Sequence, residues 1–223
     1  MCGRYVLTTP GEVLAELFEL PQPVELAARY NIAPTQAVPI VRAAESGGRE
    51  LAFVAWGLVP HWAKEKAIGN RLINARAQSL AEKPAYRSAF KHRRCLIPAD
   101  GFYEWKAEGS TKQPFLLRLA GGGPFAFAGL WERWTDPATR EPLDSCTIVT
   151  TQPNALAATV HDRMPAILPK ERHALWLDPA TYDPVALGAL LAPIPAEAME
   201  AYPVSKRVNN PVNEDPRCIE PLR

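Results

Sequence analysis

Met1-Cys2-Gly3-Arg4-Tyr5 opens the chain, and it sets a thiol directly behind a methionine. Methionine is usually trimmed when the next residue is small, so Cys2 is expected to become residue one. An α-amine titrates near ~8 and a thiol near ~8.5, which leaves part of each nucleophilic around neutrality. On adjacent carbons they act jointly. The amine condenses with an aldehyde to an imine, and the thiol then closes a five-membered thiazolidine ring. The plain alternative is a small apolar residue that happens to stand second.

Three further segments carry groups suited to such chemistry. In GFYEWK (101–106) an extended backbone puts Phe102 and Glu104 on one face, Tyr103 and Trp105 on the other. A carboxylate among aromatics loses hydration, which raises its pKa and suits a general acid. Against this stands a solvated edge glutamate beside Lys106. INARA (73–77) sets Asn74 two residues before Arg76, and HDRMP (161–165) sets His161 two before Arg163, with Asp162 opposite. Asn74 also reads as a turn residue, and a lone histidine is more often packed than reactive. His61, His92 and His173 have no comparable neighbours.

Cys2 with Arg4, Asn74 with Arg76, and His161 with Arg163 share one spacing. Two strand residues advance about 6.5 Å and return to the same face. Each pair is therefore expected to deliver one reactive or orienting group to a pocket and one guanidinium to a nearby phosphate, a role that planar bidentate donors suit. WGLVPHW (56–62) adds Trp56 and Trp62. An exposed ring beside arginines makes a stacking platform for unpaired bases, and Trp62, beyond the Pro-His turn, is the expected exposed member.

Bulk properties narrow the class. The 223 residues are 47% apolar with a net charge of +1, so nucleic acid would be held by local arginines and not by the whole-molecule field. The four cysteines, Cys2, Cys95, Cys146 and Cys218, form no C-x-x-C pair. No disulfide framework, metal site or cofactor motif is read from them. Arg4, Glu12 and Glu16 interrupt any leader-like apolar run, and VALGALLAPI is too short for a bilayer. A cytoplasmic protein is expected.

The elements that must position these groups read as mostly strands: AVPIVRA, ELAFVAWGLV, CLIPADGFYEWK, QPFLLRLA, PFAFAGLWERW, SCTIVTT, MPAIL and EAYPVS. Hairpin turns are expected at 99–101, 107–112, 120–123 and 135–142. Helices are expected in TTPGEVLAELFEL, with Thr9 as cap, Pro10 in the first turn and Glu12 completing a capping box, and in SLAEKPAYRSAF, which Pro84 interrupts. KERHALWL and DPVALGALL complete the set. The expectation is one α+β domain over residues 1–223, dominated by antiparallel strands.

MCGRY, YNIAPTQ, WGLVPHW, INARA, GFYEW and HDRMP, in this order, resemble the SOS response-associated peptidase family, abasic-site-processing proteins that crosslink to DNA. The likeness runs from Cys2 to the VNNPVNEDPRCIEPL tail. It implies a bifurcated antiparallel sheet curled into a pseudo-barrel with peripheral helices. It implies as partner the ring-opened aldehyde of an abasic site in single-stranded DNA, captured as a thiazolidine by Cys2 after loss of Met1. Asn74 would hold the Cys2 amine, Glu104 serve acid/base steps, His161 assist imine formation and reversal, and Arg4, Arg76 and Arg163 contact phosphates. The family motif usually continues with Glu where Gln78 stands, and the region after LFEL is short. Loss of Met1 is compatible with self-processing and with an aminopeptidase, and the imine also permits strand cleavage as a side activity. A monomer is expected, because the pocket draws on one chain.

Two rivals remain at this point. N-terminal-nucleophile glutamine amidotransferases also begin Met-Cys-Gly and use the α-amine as base, but need long helices on both sheet faces. A non-covalent single-stranded DNA-binding module would use Trp62 and the arginines alone.

Overall fold

Alternating apolar side chains make extended backbone the default for most of the chain. The computed structural model describes residues 2–222. Its strands are β1 (Tyr5–Leu7), β2 (Arg29–Ile32), β3 (Ala37–Ala43), β4 (Arg49–Trp56), β5 (Asn74–Arg76), β6 (Arg94–Ala99), β7 (Gly101–Glu108), β8 (Thr111–Leu119), β9 (Phe125–Thr135), β10 (Pro142–Thr151), β11 (Met164–Pro165), β12 (Ile167–Leu168) and β13 (Met199–Pro203). The α-helices are α1 (Gly11–Phe18), α2 (Arg87–His92), α3 (His173–Leu177) and α4 (Pro184–Ala189).

Five strands close on themselves. β10 lies parallel to β4, and β4, β3, β6 and β9 follow in antiparallel pairs until β9 returns to β10. Closure satisfies backbone groups that an open sheet would leave at its edges. A second, wholly antiparallel sheet runs β13-β8-β7-β1-β2. The architecture is thus α+β and mostly antiparallel, a small barrel joined to a sheet.

Two expected hairpins are instead crossings between these layers. Residue 99 ends a barrel strand and residue 101 begins a strand of the second sheet. Asp100 between them accepts from the Thr9 amide at 2.8 Å, the Thr8 hydroxyl at 2.9 Å and the Thr9 hydroxyl at 2.6 Å. Thr9 therefore caps nothing: Pro10 precedes α1 and no side chain caps that helix. Likewise 120–123 carries the chain from β8 in the sheet to β9 in the barrel. The hairpins at 107–112 and 135–142 do form, joining β7 to β8 and β9 to β10. The helix expected from Ser79 begins only at Arg87, beyond Pro84, because proline removes a donor and clashes with the preceding turn. MPAIL splits into β11 and β12, whose partners are β10 and β9.

The main core fills the space between the layers. Tyr5 meets Trp56 and Phe127 edge-on, with ring centroids 5.4 and 5.9 Å away, and Phe102 lies 6.0 Å from Phe127. Cys2 belongs to this cluster and is fully buried. Tyr103 and Trp105 face a separate cluster with Val204 and Val208, so the alternation read from GFYEWK holds.

Gly57 ends β4 at a close backbone approach. Its φ is +130°, and a Cβ there would lie 2.7 Å from the Gly69 carbonyl oxygen. Gly57→Ala should therefore cost about 2–4 kcal/mol, from a disfavoured backbone and a clash that only backbone movement relieves. A shift in the urea midpoint measures it, and an unshifted midpoint would show that the loop yields freely.

Candidate active site

β10 is the hub. At Ile148 it is paired with Gly129 of β9 and Asn74 of β5, and at Thr150 with Arg76 of β5 and Pro165 of β11. β5 therefore runs along one edge of the end of β10 while β9 and then β11 occupy the other. That pairing draws INARA and HDRMP, far apart in sequence, to the same end of the barrel.

Four of the expected residues converge there. Asn74 Nδ2 donates to the Cys2 carbonyl at 2.8 Å, while its Oδ1 is buried and has no hydrogen-bond partner among the described residues. Tyr86, which sequence reasoning missed, donates from its hydroxyl to the Asn74 carbonyl at 3.1 Å. Glu104 is 3% exposed on β7, between β1 and β8, which overturns the solvated-edge alternative. Burial raises its pKa, opposed by the neighbouring His161. Burial and then the Glu104 charge push the Cys2 thiol well above its ordinary range, so the thiol is protonated in this setting. Met1, whose removal is expected, lies outside the described residues.

The shared strand spacing holds for one pair of the three. Asn74 and Arg76 lie in β5, flanking buried Ala75. Cys2 and Arg4 precede β1, and His161 and Arg163 precede β11 in irregular backbone. Asp162 consequently does not point away: its carboxylate lies 2.9 Å from His161 Nδ1. The same nitrogen lies 3.1 Å from the Arg163 amide donor. Nδ1 has an acceptor to face when protonated and a donor when not.

The arginines differ. Arg76 is exposed. Arg163 is half-buried beside it, with Nε 3.2 Å from Thr150 Oγ1 and Nη2 donating to Gln78 Oε1 at 3.3 Å. Burial first, then the Arg76 charge, lowers the pKa of Arg163, an arrangement that an anion would relieve. Gln78 thus supports Arg163. Arg4 turns inward: Nη1 donates to Asn31 Oδ1 at 2.7 Å and to the Val208 carbonyl at 2.6 Å, tying the amino-terminal segment to the tail. Trp56 is buried and Trp62 is 49% exposed. Among the described residues no group of three or more His, Cys, Asp or Glu is arranged to hold a metal ion, and no helix is long and apolar enough to cross a membrane.

Cys2, Asn74, Glu104 and His161 are thus brought together by the barrel and the second sheet jointly. The chain belongs to the SOS response associated peptidase (SRAP) family, whose pattern it matches over residues 1–211. It is 45% identical over 224 residues to the abasic site processing protein YoqW of Bacillus subtilis (strain 168), covering 99% of each chain. It is 31% identical over 230 residues to the abasic site processing protein YedK of Escherichia coli (strain K12), covering 100% of both. A crystal structure of a protein from Bacteroides thetaiotaomicron superposes with a TM-score of 0.88 at 28% identity, over 100% of both chains.

Proposed function

We propose that this chain captures the ring-opened aldehyde of an abasic site in single-stranded DNA through Cys2, after Met1 has left. The observation that carries the reading is the contact between Asn74 and the Cys2 carbonyl, with the buried Asn74 Oδ1 beside it lacking a donor. A freed α-amine is a donor of the right kind. The relatives named for abasic-site processing supply the substrate.

The sequence of steps follows from the groups brought together. The sugar of an abasic nucleotide is mostly closed, so an acid/base group that opens it raises the reactive fraction. Glu104, whose pKa burial raises, serves as that acid, with His161 beside it. The neutral amine attacks the carbonyl carbon, a C–N bond forms, and the carbonyl oxygen leaves as water to give the imine. The thiol then adds across C=N: sulfur bonds to carbon and its proton passes to nitrogen. Until ring closure the imine permits β-elimination of the 3′ phosphate, so closure protects the strand. Arg76 and Arg163 receive the flanking phosphates, Trp62 stacks a base, and Arg4 anchors the reactive end. The amidotransferase reading has no support in the helices, since the longest α-helix among the described residues is α1, of 8 residues.

Intact-mass analysis after incubation with an abasic single-stranded oligonucleotide tests the reading. The expected mass is the chain without Met1 plus the oligonucleotide minus one water. A chain that keeps Met1, or one that adds no mass, overturns it. Arg76→Ala should weaken binding and lower the salt slope of log K by about 0.7, the value for one phosphate lost on a single strand. A slope equal to that of the unaltered protein would remove Arg76 from the phosphate contacts.

A further inference from the structure

His61 has no chemically telling neighbour in the sequence, yet distant segments meet around it. Its Nδ1 lies 3.2 Å from Glu132 Oε2 on β9, while its side chain is 55% exposed. Glu132 is only 3% exposed. Arg93 balances that charge from within, with Nε 2.8 Å from Oε1 and Nη2 2.9 Å from Oε2. An ionised carboxylate only accepts, so Nδ1–H is the donor. Nε2, across the ring, faces away from the carboxylate. Arg93 also donates to Ser88 Oγ at 2.9 Å, which ties this cluster to α2.

Beside the ring is a cleft of about 460 Å³ lined by His61, Trp62, Pro84, Arg87 and Ser88. No carboxylate lines it, and Arg87 is exposed. Trp62 stands at its rim, with Nε1 donating to the Pro84 carbonyl at 3.4 Å. Tyr86, next to Arg87, holds the Asn74 carbonyl. One residue of the cleft, Arg87, is thus the chain neighbour of a residue bonded to Asn74.

A guanidinium, an imidazole held by a buried carboxylate, a hydroxyl and a half-exposed indole suit one phosphodiester and its base. We propose that this cleft is a second nucleic-acid subsite, which takes a phosphate of the strand on Arg87 and His61 Nε2 and the adjoining base on Trp62. The inference rests on the reading that the partner is single-stranded DNA. A strand seated at Cys2 would continue into the cleft, so the subsite acts on long ligands and little on short ones.

The test compares the processed full chain with its His61→Ala and Arg87→Ala variants. The probes are an abasic trinucleotide and an abasic single strand of roughly 20 nucleotides, long enough to follow a groove past one site. Each variant should bind the long strand about tenfold more weakly, the usual scale for one charge-assisted hydrogen bond. Each should also show a smaller salt slope, and the loss should be far less with the trinucleotide. Equal affinity and slope on the long strand overturn the subsite, including the case in which His61→Ala merely lowers thermal stability and so marks a tether. Arg87 is exposed, so its variant reads binding without a folding defect. If the unaltered protein forms no adduct with either probe, the reading of Cys2 fails instead, and the anisotropy of the long strand still decides the cleft.

Discussion

Replacing Cys2 by Ala should abolish every DNA adduct that survives denaturation, while leaving an imine that borohydride can trap. On the proposed mechanism, loss of Met1 would free an α-amine in the variant as in the parent, so the C–N bond would still form. Without sulfur no second bond reaches the same carbon, and the imine either hydrolyses or loses the 3′ phosphate by β-elimination. On the proposed mechanism, the variant should therefore trade stable capture for slow cutting of the strand. Denaturing gels with and without reductant measure both outcomes. The burial of Cys2 gives the experiment its sharpness, because alanine fills nearly the same fully enclosed space and the fold is little disturbed. A stable conjugate formed by the alanine protein would mean that some other nucleophile performs the capture.

Glu104→Gln should slow adduct formation by about 10²–10⁴-fold, the usual worth of a positioned acid/base group. Glutamine keeps the shape and loses the transferable proton. The same substitution should alter how stability depends on pH. Burial raises the Glu104 pKa in the folded chain, so above the ordinary carboxylate value the native state holds more of that proton than the unfolded state. Rising pH then favours the unfolded chain: this contribution is intact at low pH and is lost as pH climbs towards the folded value. The Gln variant lacks that loss, so its urea midpoint should gain on the parent protein as pH rises from about 4 to 8. Parallel midpoints over that range would place Glu104 in a solvated setting and remove its claim to act as an acid.

How much of this was legible in the residues depended on range. AVPIVRA became β3 residue for residue, and GFYEWK divided its side chains between two clusters as an extended segment must. Such patterns are local, and the backbone obeys them locally. Asp100 was different. A polar residue followed by glycine marks a change of direction, but nothing in three residues says whether the chain turns back or passes into another layer. The partners of Arg4 were hidden for a similar reason: Asn31 and Val208 stand 27 and 204 residues away. Asp162 seemed to face away from His161 only because a strand was assumed, and the loop before β11 brings its carboxylate to the ring. The link from His61 to Glu132 spans 71 residues and had no local signature. Types of residue suggested a chemistry; tertiary pairing decided which guanidinium stays exposed.

The tie between Arg4 and Val208, with β10 as hub, bears on the timing of reactivity during synthesis. In order of synthesis the segment bearing Cys2 precedes Glu104, His161 and the carbonyl at Val208 by 102, 159 and 206 residues. At about 5–20 residues per second, many seconds separate exposure of the thiol from arrival of the last of these groups. On the proposed reading of the site, a nascent chain would thus carry its amino-terminal thiol before the acid, the imidazole and the clasp that act with it. On the proposed reading, the full set of groups comes together only once the segment around Val208 has been made and has paired with Arg4.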